Sequence, residues 1–493
     1  MLSTFEGRLG VAERRGPADV DVIAATADSR AVAPGSLFAA IPGARMDGHR
    51  FIDKALDSGA SAVLLSRWPE AWPDGAVGLQ VEDPRRSLAL AACALHGDPS
   101  EALRTVGITG TNGKTSTVAL LASILRAAGL PVATLGTTGF DWDGPAGRLH
   151  HPSTHTTPEG PDLQAWLARF RDEGVQAVAL ELSSHALEQG RAAGLRLDVA
   201  AWSNLSRDHL DYHGTMEGYA AAKARLFTEW LPRWGKAGAA AVINVDDPVV
   251  SAAAPTTGRV VRVSSQPGVG DVHPLGALRV DREGISGTVA FGEHRVPLQS
   301  RLLGWHNVDN LLLAGACAWA AGVDVSAIEQ GWRDAEGAPG RLERVDAPGP
   351  LVLVDYAHTP EALRRVLASL RPLCAHRLHV VFGAGGDRDA GKRPLMAAAA
   401  AEGADRVVLT SDNPRSEDPE AILDALQAGL PPGIDWSRVA DRARAIAQGI
   451  AAAGPDDVVL IAGKGHETTQ EIAGELLPFD DRVHARAALE ARP

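Results

Sequence analysis

Val106-Gly-Ile-Thr-Gly-Thr-Asn-Gly-Lys-Thr-Ser116 decides the reading of this chain. A short β-branched run leads into three glycines at spacing three, then Lys114, Thr115 and Ser116, then a helical pattern. In that pattern Val118, Leu121 and Leu125 recur on one face. A strand, a tight glycine turn and a helix N-terminus form what a polyphosphate needs: close backbone approach, inward amides and a positive helix end. Lys114 has the reach for β- and γ-phosphates, and the Thr115 hydroxyl suits the nucleotide's magnesium. The glycines fall at Gly107, Gly110 and Gly113, with Ile108 where the usual spacing places its first glycine. The plain alternative is a glycine-rich strand–helix turn with a solvated lysine.

At 493 residues the chain exceeds a single hydrophobic core, so several domains are expected. A hydrophobic content of 45% with 22% charged residues is that of an ordinary globular protein. The net charge of -13 excludes a general nucleic-acid binder but not a small anion held by a local cluster. Cys93, Cys317 and Cys374 stand far apart in a pattern that is neither a metal spacing nor a disulfide framework. No basic region followed by an apolar run opens the chain, and the alanine-rich stretch 311–321 is too short to span a bilayer. A cytoplasmic protein without stable membrane association is expected, with monomer as the default state.

Outward from the glycine loop, the pattern divides the chain into three α/β domains, 1–101, 102–337 and 338–493. In the first, Ser29, Arg30 and His49 sit beside turns, where surface polar residues are the ordinary reading. In the second, strands are expected at 131–135, 177–180, 200–204 and 239–245, with helices at 162–172 and 307–321. Polar groups cluster at the strands' C-terminal ends, as in a mostly parallel sheet with its ligand crevice there. Glycine, proline and histidine dominate the loop-like stretch up to Pro158, and residues 258–299 suggest a small antiparallel insert. In the third, strands at 351–354, 379–382, 407–410 and 458–462 each run into a loop of glycines, acids and bases, an open Rossmann-like parallel sheet.

These loops carry the chemistry. Glu181 follows a buried strand and is a natural carboxylate for a nucleotide-bound magnesium. His209 is a candidate for a second metal. Lys223, within a helical Tyr-Ala-Ala-Ala-Lys run, reads by itself as a solvated lysine. Asp355 and His358 offer polar groups to nucleotide or acceptor. Arg388, Arg415 and Glu467 form the mixed-charge set that an amino-acid substrate requires, cations for carboxylates and an acid for an ammonium. No nucleophile elbow and no kinase-type aspartate loop is present. Transfer of a γ-phosphoryl group to a carboxylate, followed by amine attack on the acyl phosphate, fits this inventory.

Six ordered motifs carry a resemblance that spans nearly the whole chain: Gly110-Thr-Asn-Gly-Lys-Thr115, Glu181-Leu-Ser-Ser-His185, Asp208-His-Leu-Asp-Tyr-His213, His306-Asn-Val-Asp-Asn310, Gly340-Arg-Leu-Glu343 and Asp355-Tyr-Ala-His-Thr-Pro360. Together they resemble the Mur ligase family of peptidoglycan precursor synthesis. The resemblance implies a three-domain architecture with a central P-loop ATPase-like domain and a C-terminal Rossmann-like domain. It implies ATP and Mg2+, with Gly110, Thr111, Asn112, Gly113, Lys114, Thr115, Ser116, Asn307, Asn310, Arg341 and Asp355 around the nucleotide. It places Thr115, Glu181, His209 and Lys223 at the metal sites. There Lys223 corresponds to a lysine that carbon dioxide converts to a carbamate, which reverses its ordinary reading. Lys114, Glu181, His209 and Lys223 are the expected catalytic set.

The same resemblance assigns Ser29 and Arg30 to the uridine nucleotide and Thr156, Thr157, Ser183, Gln189 and Arg191 to a muramoyl-dipeptide. Arg388, Asp412, Asn413, Arg415, Gly463 and Glu467 match an amino-acid site. Ser116 departs from the family's second threonine but keeps the hydroxyl. Asp412-Asn-Pro-Arg415 resembles the form found in members that add meso-diaminopimelate. Arg415 would grip the distal carboxylate that lysine lacks, and without a cation that group would be desolvated unpaired. The expected reaction joins meso-diaminopimelate to the D-Glu carboxylate of UDP-MurNAc-L-Ala-D-Glu. A lysine-adding homologue or a folylpolyglutamate synthetase-like amide ligase is the enzymatic alternative. A non-catalytic nucleotide-binding regulator would show no amino-acid-dependent ATP turnover.

Overall fold

In the computed structural model the strand Arg104–Thr109 is buried from Thr105 onward, and it stops where the glycine loop begins. The structure describes residues 1–43, 46–153 and 155–492. The helix Lys114–Ala127 follows directly, with Gly113 as its N-cap at φ 83°. Val118, Leu121 and Leu125 are buried as their spacing requires, and so are Leu120 and Ile124, which widens the buried arc.

By chain compactness the molecule divides into two units. The first holds residues 1–273 with 290–294 and 312–331. Near its N-terminus, the strands Ala24–Thr26, Ser36–Ala40, Ala60–Leu65 and Gly78–Val81 run parallel, and Val11–Arg15 closes the edge antiparallel. The larger sheet of this unit is parallel in the order Arg259–Val263, Gly235–Asn244, Leu197–Trp202, Arg104–Thr109, Ala177–Glu181, Val132–Gly136. One hydrophobic cluster runs from Leu37 and Leu79 through Leu88 to Leu163, Leu180 and Trp202. The parallel strands read as near-continuous apolar runs because helices cover both faces.

Two expectations differ from the structure. The loop-like stretch up to Pro158 contains a hairpin, Gly139–Gly144 with Gly147–His151, that extends the sheet antiparallel. Its signal was alternation: Phe140 and Trp142 turn inward and pack on Trp166 and Phe170, with centroids 5.2 to 5.6 Å apart. Thr154 of the same stretch lies outside the described residues. Arg259–Val263 belongs to the parallel sheet rather than to the insert, its Val261 and Val263 buried. The antiparallel pairing expected of the insert is present further on, where Arg279–Asp281 pairs with residues 284–286.

The second unit holds residues 274–289, 295–311 and 332–493. Its sheet runs Glu343–Arg344, Leu351–Asp355, Val458–Ala462, Leu378–Phe382, Arg406–Leu409, Asp435–Arg438, parallel except for the first strand. Leu353, Val380, Leu409 and Leu460 pack under the helices Pro360–Leu370, Lys392–Gly403 and Pro419–Gln427. On the other face Val354, Val381, Val408 and Ile461 meet the helices Arg442–Ala451 and Asp481–Glu490. Beyond the sheet, Thr469–Ile472 and Glu475–Pro478 form a separate hairpin. Among the described residues no helix is long and apolar enough to cross a membrane.

Candidate active site

In the first unit the groups converge on the glycine loop at the sheet's C-terminal edge. Thr111 N–H donates to Asn204 O at 2.9 Å, and Asn112 N–H to Asn204 Oδ1 at 2.9 Å, so the neighbouring strand's exit loop sets the loop's shape. Ser203 Oγ donates to Asn112 O at 2.7 Å. A Cβ on Gly110, whose φ is 148°, would stand 1.9 Å from Ser203 Oγ, so no larger residue fits. Gly110→Ala is therefore expected to displace the loop and to lower ATP-dependent phosphate release about 100-fold, as measured by a coupled phosphate assay. Lys114 Nζ folds over the loop and donates to Gly110 O at 2.8 Å and Thr111 O at 3.1 Å. Ser116 lies half-buried in the first turn of the helix.

Glu181 closes its strand and is 1% exposed. Its Oε1 accepts from Thr115 Oγ1 and from Thr137 N–H, both at 2.9 Å, and its Oε2 from Thr137 Oγ1 at 3.2 Å. A hydroxyl and a carboxylate held in contact form a hard-oxygen pair of the kind magnesium takes. Thr137 was invisible in the sequence because it sits in an ordinary Gly-Thr-Thr-Gly turn. Thr156 Oγ1 lies 3.1 Å from Thr137 Oγ1, Thr157 Oγ1 donates to Glu181 O at 2.8 Å, and Ser183 N–H donates to Thr157 Oγ1 at 3.1 Å. Arg191 Nε donates to Gln189 Oε1 at 2.8 Å, and Gln189 Nε2 to Tyr212 Oη at 2.9 Å. Burial first, then Arg85, lowers the Arg191 pKa, and Glu159 opposes the shift.

Lys223 departs most from its sequence context. It is 1% exposed, its Nζ donates to Gly110 O at 2.8 Å, and it stands 4.6 Å over the Tyr219 ring. Burial, and then Lys114, holds its pKa well below the usual lysine range, against a raising contribution from Asp208. Tyr219 in turn has its hydroxyl 3.2 Å from Thr111 Oγ1, and burial pushes its pKa up to about 12.

His209 takes a left-handed backbone at φ 51°, uncommon for a residue with a side chain and concentrated at functional sites. Its ring lies 5.0 Å from His185 and 6.0 Å from Tyr219. The ring of His185, pushed down to about 4 by burial and then by His209 and His213, is neutral at neutral pH. Among the described residues no three His, Cys, Asp or Glu side chains are assembled as a metal cluster; of the expected metal set, Thr115 and Glu181 are in direct contact. Ser29 and Arg30 sit on a turn after Ala24–Thr26, where Arg30, 82% exposed, pairs with Asp28 at 2.8 Å.

In the second unit the strand-end loops gather as the parallel pattern requires. Asp355 is half-buried, accepts from Leu342 N–H at 2.9 Å and Ala357 N–H at 2.8 Å, and has its pKa raised chiefly by desolvation. Arg341 lies 5.0 Å over the Tyr356 ring, whose other neighbours are His358 and His466. Asn307 and Asn310 are buried in the first turns of Trp305–Ala320, where Asn310 Nδ2 donates to Asn307 Oδ1 at 3.0 Å.

The loop 412–415 is held by the following hairpin. Gln470 Nε2 donates to Asp412 O at 2.6 Å, Arg415 N–H to Glu471 O at 3.0 Å, and Ala473 N–H to Arg415 O at 2.7 Å. Arg415 itself is left-handed at φ 56°, with Nη1 donating to Gly386 O at 2.6 Å and Nε 3.4 Å from Glu471 Oε2. Arg388 is exposed, and with Arg415 it flanks Gly385. Asn413 Nδ2 donates to Glu467 Oε2 at 2.8 Å. Gly463, at φ 120°, lies so close to Asp412 that a Cβ would stand 2.4 Å from Oδ2. Two supports had no sequence signal: buried Lys464, and the Arg442–Asp481 pair, fully enclosed at 2.7 Å.

Three family models match in chain order: the Mur ligase family catalytic domain over 24–96, the Mur ligase middle domain over 108–318 and the Mur ligase glutamate ligase domain over 340–465. The UDP-N-acetylmuramoyl-L-alanyl-D-glutamate--2,6-diaminopimelate ligase of Xanthomonas campestris pv. campestris (strain 8004) is 45% identical, covering 96% of this chain and 95% of that protein. The enzyme of the same name from Xanthomonas oryzae pv. oryzae (strain MAFF 311018) is also 45% identical, over 97% and 95% of the two chains. A solved structure of a ligase of that name superposes with a TM-score of 0.72 at 37% identity, covering 95% of each chain. The strand-end loops, the glycine loop and this likeness from end to end lead to one conclusion: the chain belongs to the Mur ligase family.

Proposed function

We propose that the protein is an ATP-dependent ligase that joins meso-diaminopimelate to the D-Glu carboxylate of UDP-MurNAc-L-Ala-D-Glu, yielding the UDP-MurNAc-tripeptide, ADP and phosphate. The observation that carries this reading is the full-length 45% identity to ligases of that specificity. In the reaction a carboxylate oxygen attacks the γ-phosphorus and ADP leaves. The amine of the incoming amino acid then attacks the acyl carbon, loses a proton, and phosphate departs. Residues 1–101 are assigned to the uridine nucleotide, with Ser29 and Arg30 as contacts, 102–337 to ATP, and 338–493 to the amino acid.

Lys114 and the loop amides bind the transferring phosphates, where fixed positive groups offset the charge of the transition state. Asn307, Asn310, Arg341 and Asp355 serve the nucleotide. Thr156, Thr157, Ser183, Gln189 and Arg191 hold the muramoyl-dipeptide. Thr115, Glu181, His209 and Lys223 as its carbamate would hold magnesium, which when bound neutralises phosphate charge. The contact of Thr115 with Glu181 supports that fit. Arg388 and Arg415 take the carboxylates of diaminopimelate, Glu467 faces its ammonium, and Asp412, Asn413 and Gly463 complete the amino-acid site. The protein is read as a cytoplasmic monomer.

Phosphate release with ATP, magnesium and UDP-MurNAc-L-Ala-D-Glu, comparing meso-diaminopimelate with L-lysine, tests the reading. Release with diaminopimelate alone is expected. Equal release with lysine would retain the ligation chemistry and overturn the assigned specificity; release with neither would overturn the function.

A further inference from the structure

Lys464 has no place in the reading above, yet it is fully enclosed, at 0% exposure, directly behind the proposed amino-acid site. An ammonium buried in protein must be paired and hydrogen-bonded to persist. Its Nζ donates to Asn413 Oδ1 and to Glu467 Oε2, both at 3.0 Å. Asn413 Oδ1 also accepts from Glu471 N–H at 3.0 Å, so two donors converge on one oxygen. That settles the orientation of the Asn413 amide: flipped, its NH2 would face an ammonium and a backbone N–H. With the oxygen so placed, Nδ2 points to Glu467 Oε2 at 2.8 Å. Glu467 Oε2 thus receives two donors, while the carboxylate as a whole remains one-third exposed.

We infer that Lys464 is a positioning residue for the amino-acid substrate. It locks the Asn413 amide and fixes the Glu467 rotamer, so that Oε2 is occupied within the protein and Oε1 is presented to the substrate ammonium. The inference rests on the proposed reading of Asn413 and Glu467 as amino-acid contacts. Preorganised ligand groups depend on such support, because a loosely held carboxylate loses the geometry that discriminates among amines. The hairpin takes part in the same lock, since Glu471 N–H belongs to its first strand.

The test uses the full-length enzyme and steady-state phosphate release. Lys464→Met keeps the stem and removes the charge, and is expected to raise KM for meso-diaminopimelate about 10- to 100-fold. KM for ATP is expected to stay within about twofold, a split that general loss of structure would not produce. Lys464→Arg is expected to recover part of the loss. If Lys464→Met fails to fold, the pair Lys464→Met with Glu467→Gln, which leaves no buried charge uncompensated, replaces it. Its KM for diaminopimelate is expected to match that of Glu467→Gln alone, because one group acts through the other. An unchanged KM in Lys464→Met, or a pair whose KM departs clearly from that of Glu467→Gln alone, would overturn the inference. If Glu467→Gln alone leaves KM for diaminopimelate unchanged, the reading of the site fails first and the inference falls with it.

Discussion

Lys223→Met is expected to lose amino-acid-dependent phosphate release by roughly 10²- to 10³-fold, the scale on which an electrostatic group at the reacting centre contributes. Methionine preserves the unbranched stem that packs in the helix Met216–Arg225, so the helix survives and the loss reports on the head group. An ordinary surface lysine on a helix face would tolerate this change with little effect. Here the amine is enclosed, bonded to Gly110 O and seated over Tyr219. Burial disfavours the ammonium, and the neutral amine is the form that adds carbon dioxide with loss of one proton. The resulting carbamate would turn a cation that repels Lys114 into an anion that attracts it. The check is steady-state turnover with and without added bicarbonate: wild type is expected to lose activity when carbon dioxide is stripped, and Lys223→Met to be indifferent. A variant retaining a tenth or more of wild-type turnover would remove Lys223 from the catalytic set.

Arg415→Lys is expected to raise KM for meso-diaminopimelate and to narrow the preference for it over L-lysine by about 10- to 100-fold, the value of a charge-assisted pair. Lysine keeps the charge but not the planar fork, so a conservative substitution is not conservative here. Position also matters. Arg415 holds a left-handed backbone because its own N–H and C=O are bonded to Glu471 and Ala473 of the neighbouring hairpin. That anchoring spends the loop's freedom before the substrate arrives, which is how a single guanidinium can discriminate. Competition kinetics with both amino acids in one assay measure the ratio directly. A preference equal to that of wild type would assign the distal carboxylate to another residue, with Arg388, also beside Gly385, the first to examine.

The nearest-neighbour chemistry of the chain was legible without coordinates. Three glycines and a lysine after a β-branched run announced a strand, a loop and a helix, and the structure has all three. Period and composition located the buried parallel strands because such strands are apolar throughout. Alternation was harder to see where histidine and glycine interrupt it, and the hairpin Gly139–Gly144 with Gly147–His151 was read as loop. The spread of polar groups over the strand ends was likewise visible, since each apolar run stops at an acid, a base or a glycine.

What the sequence determined by itself was therefore the architecture, the glycine loop and the inventory of candidate groups, because all three are encoded in neighbours a few residues apart. Tertiary structure alone decided which of those groups are enclosed and what they touch. Lys223 lies 113 residues from the glycine whose carbonyl it meets, and Lys464 lies 51 from the amide it orients. Burial and hydrogen-bond direction arise from such distant pairings, which disfavour the charged form of one ordinary lysine and enclose the ammonium of another.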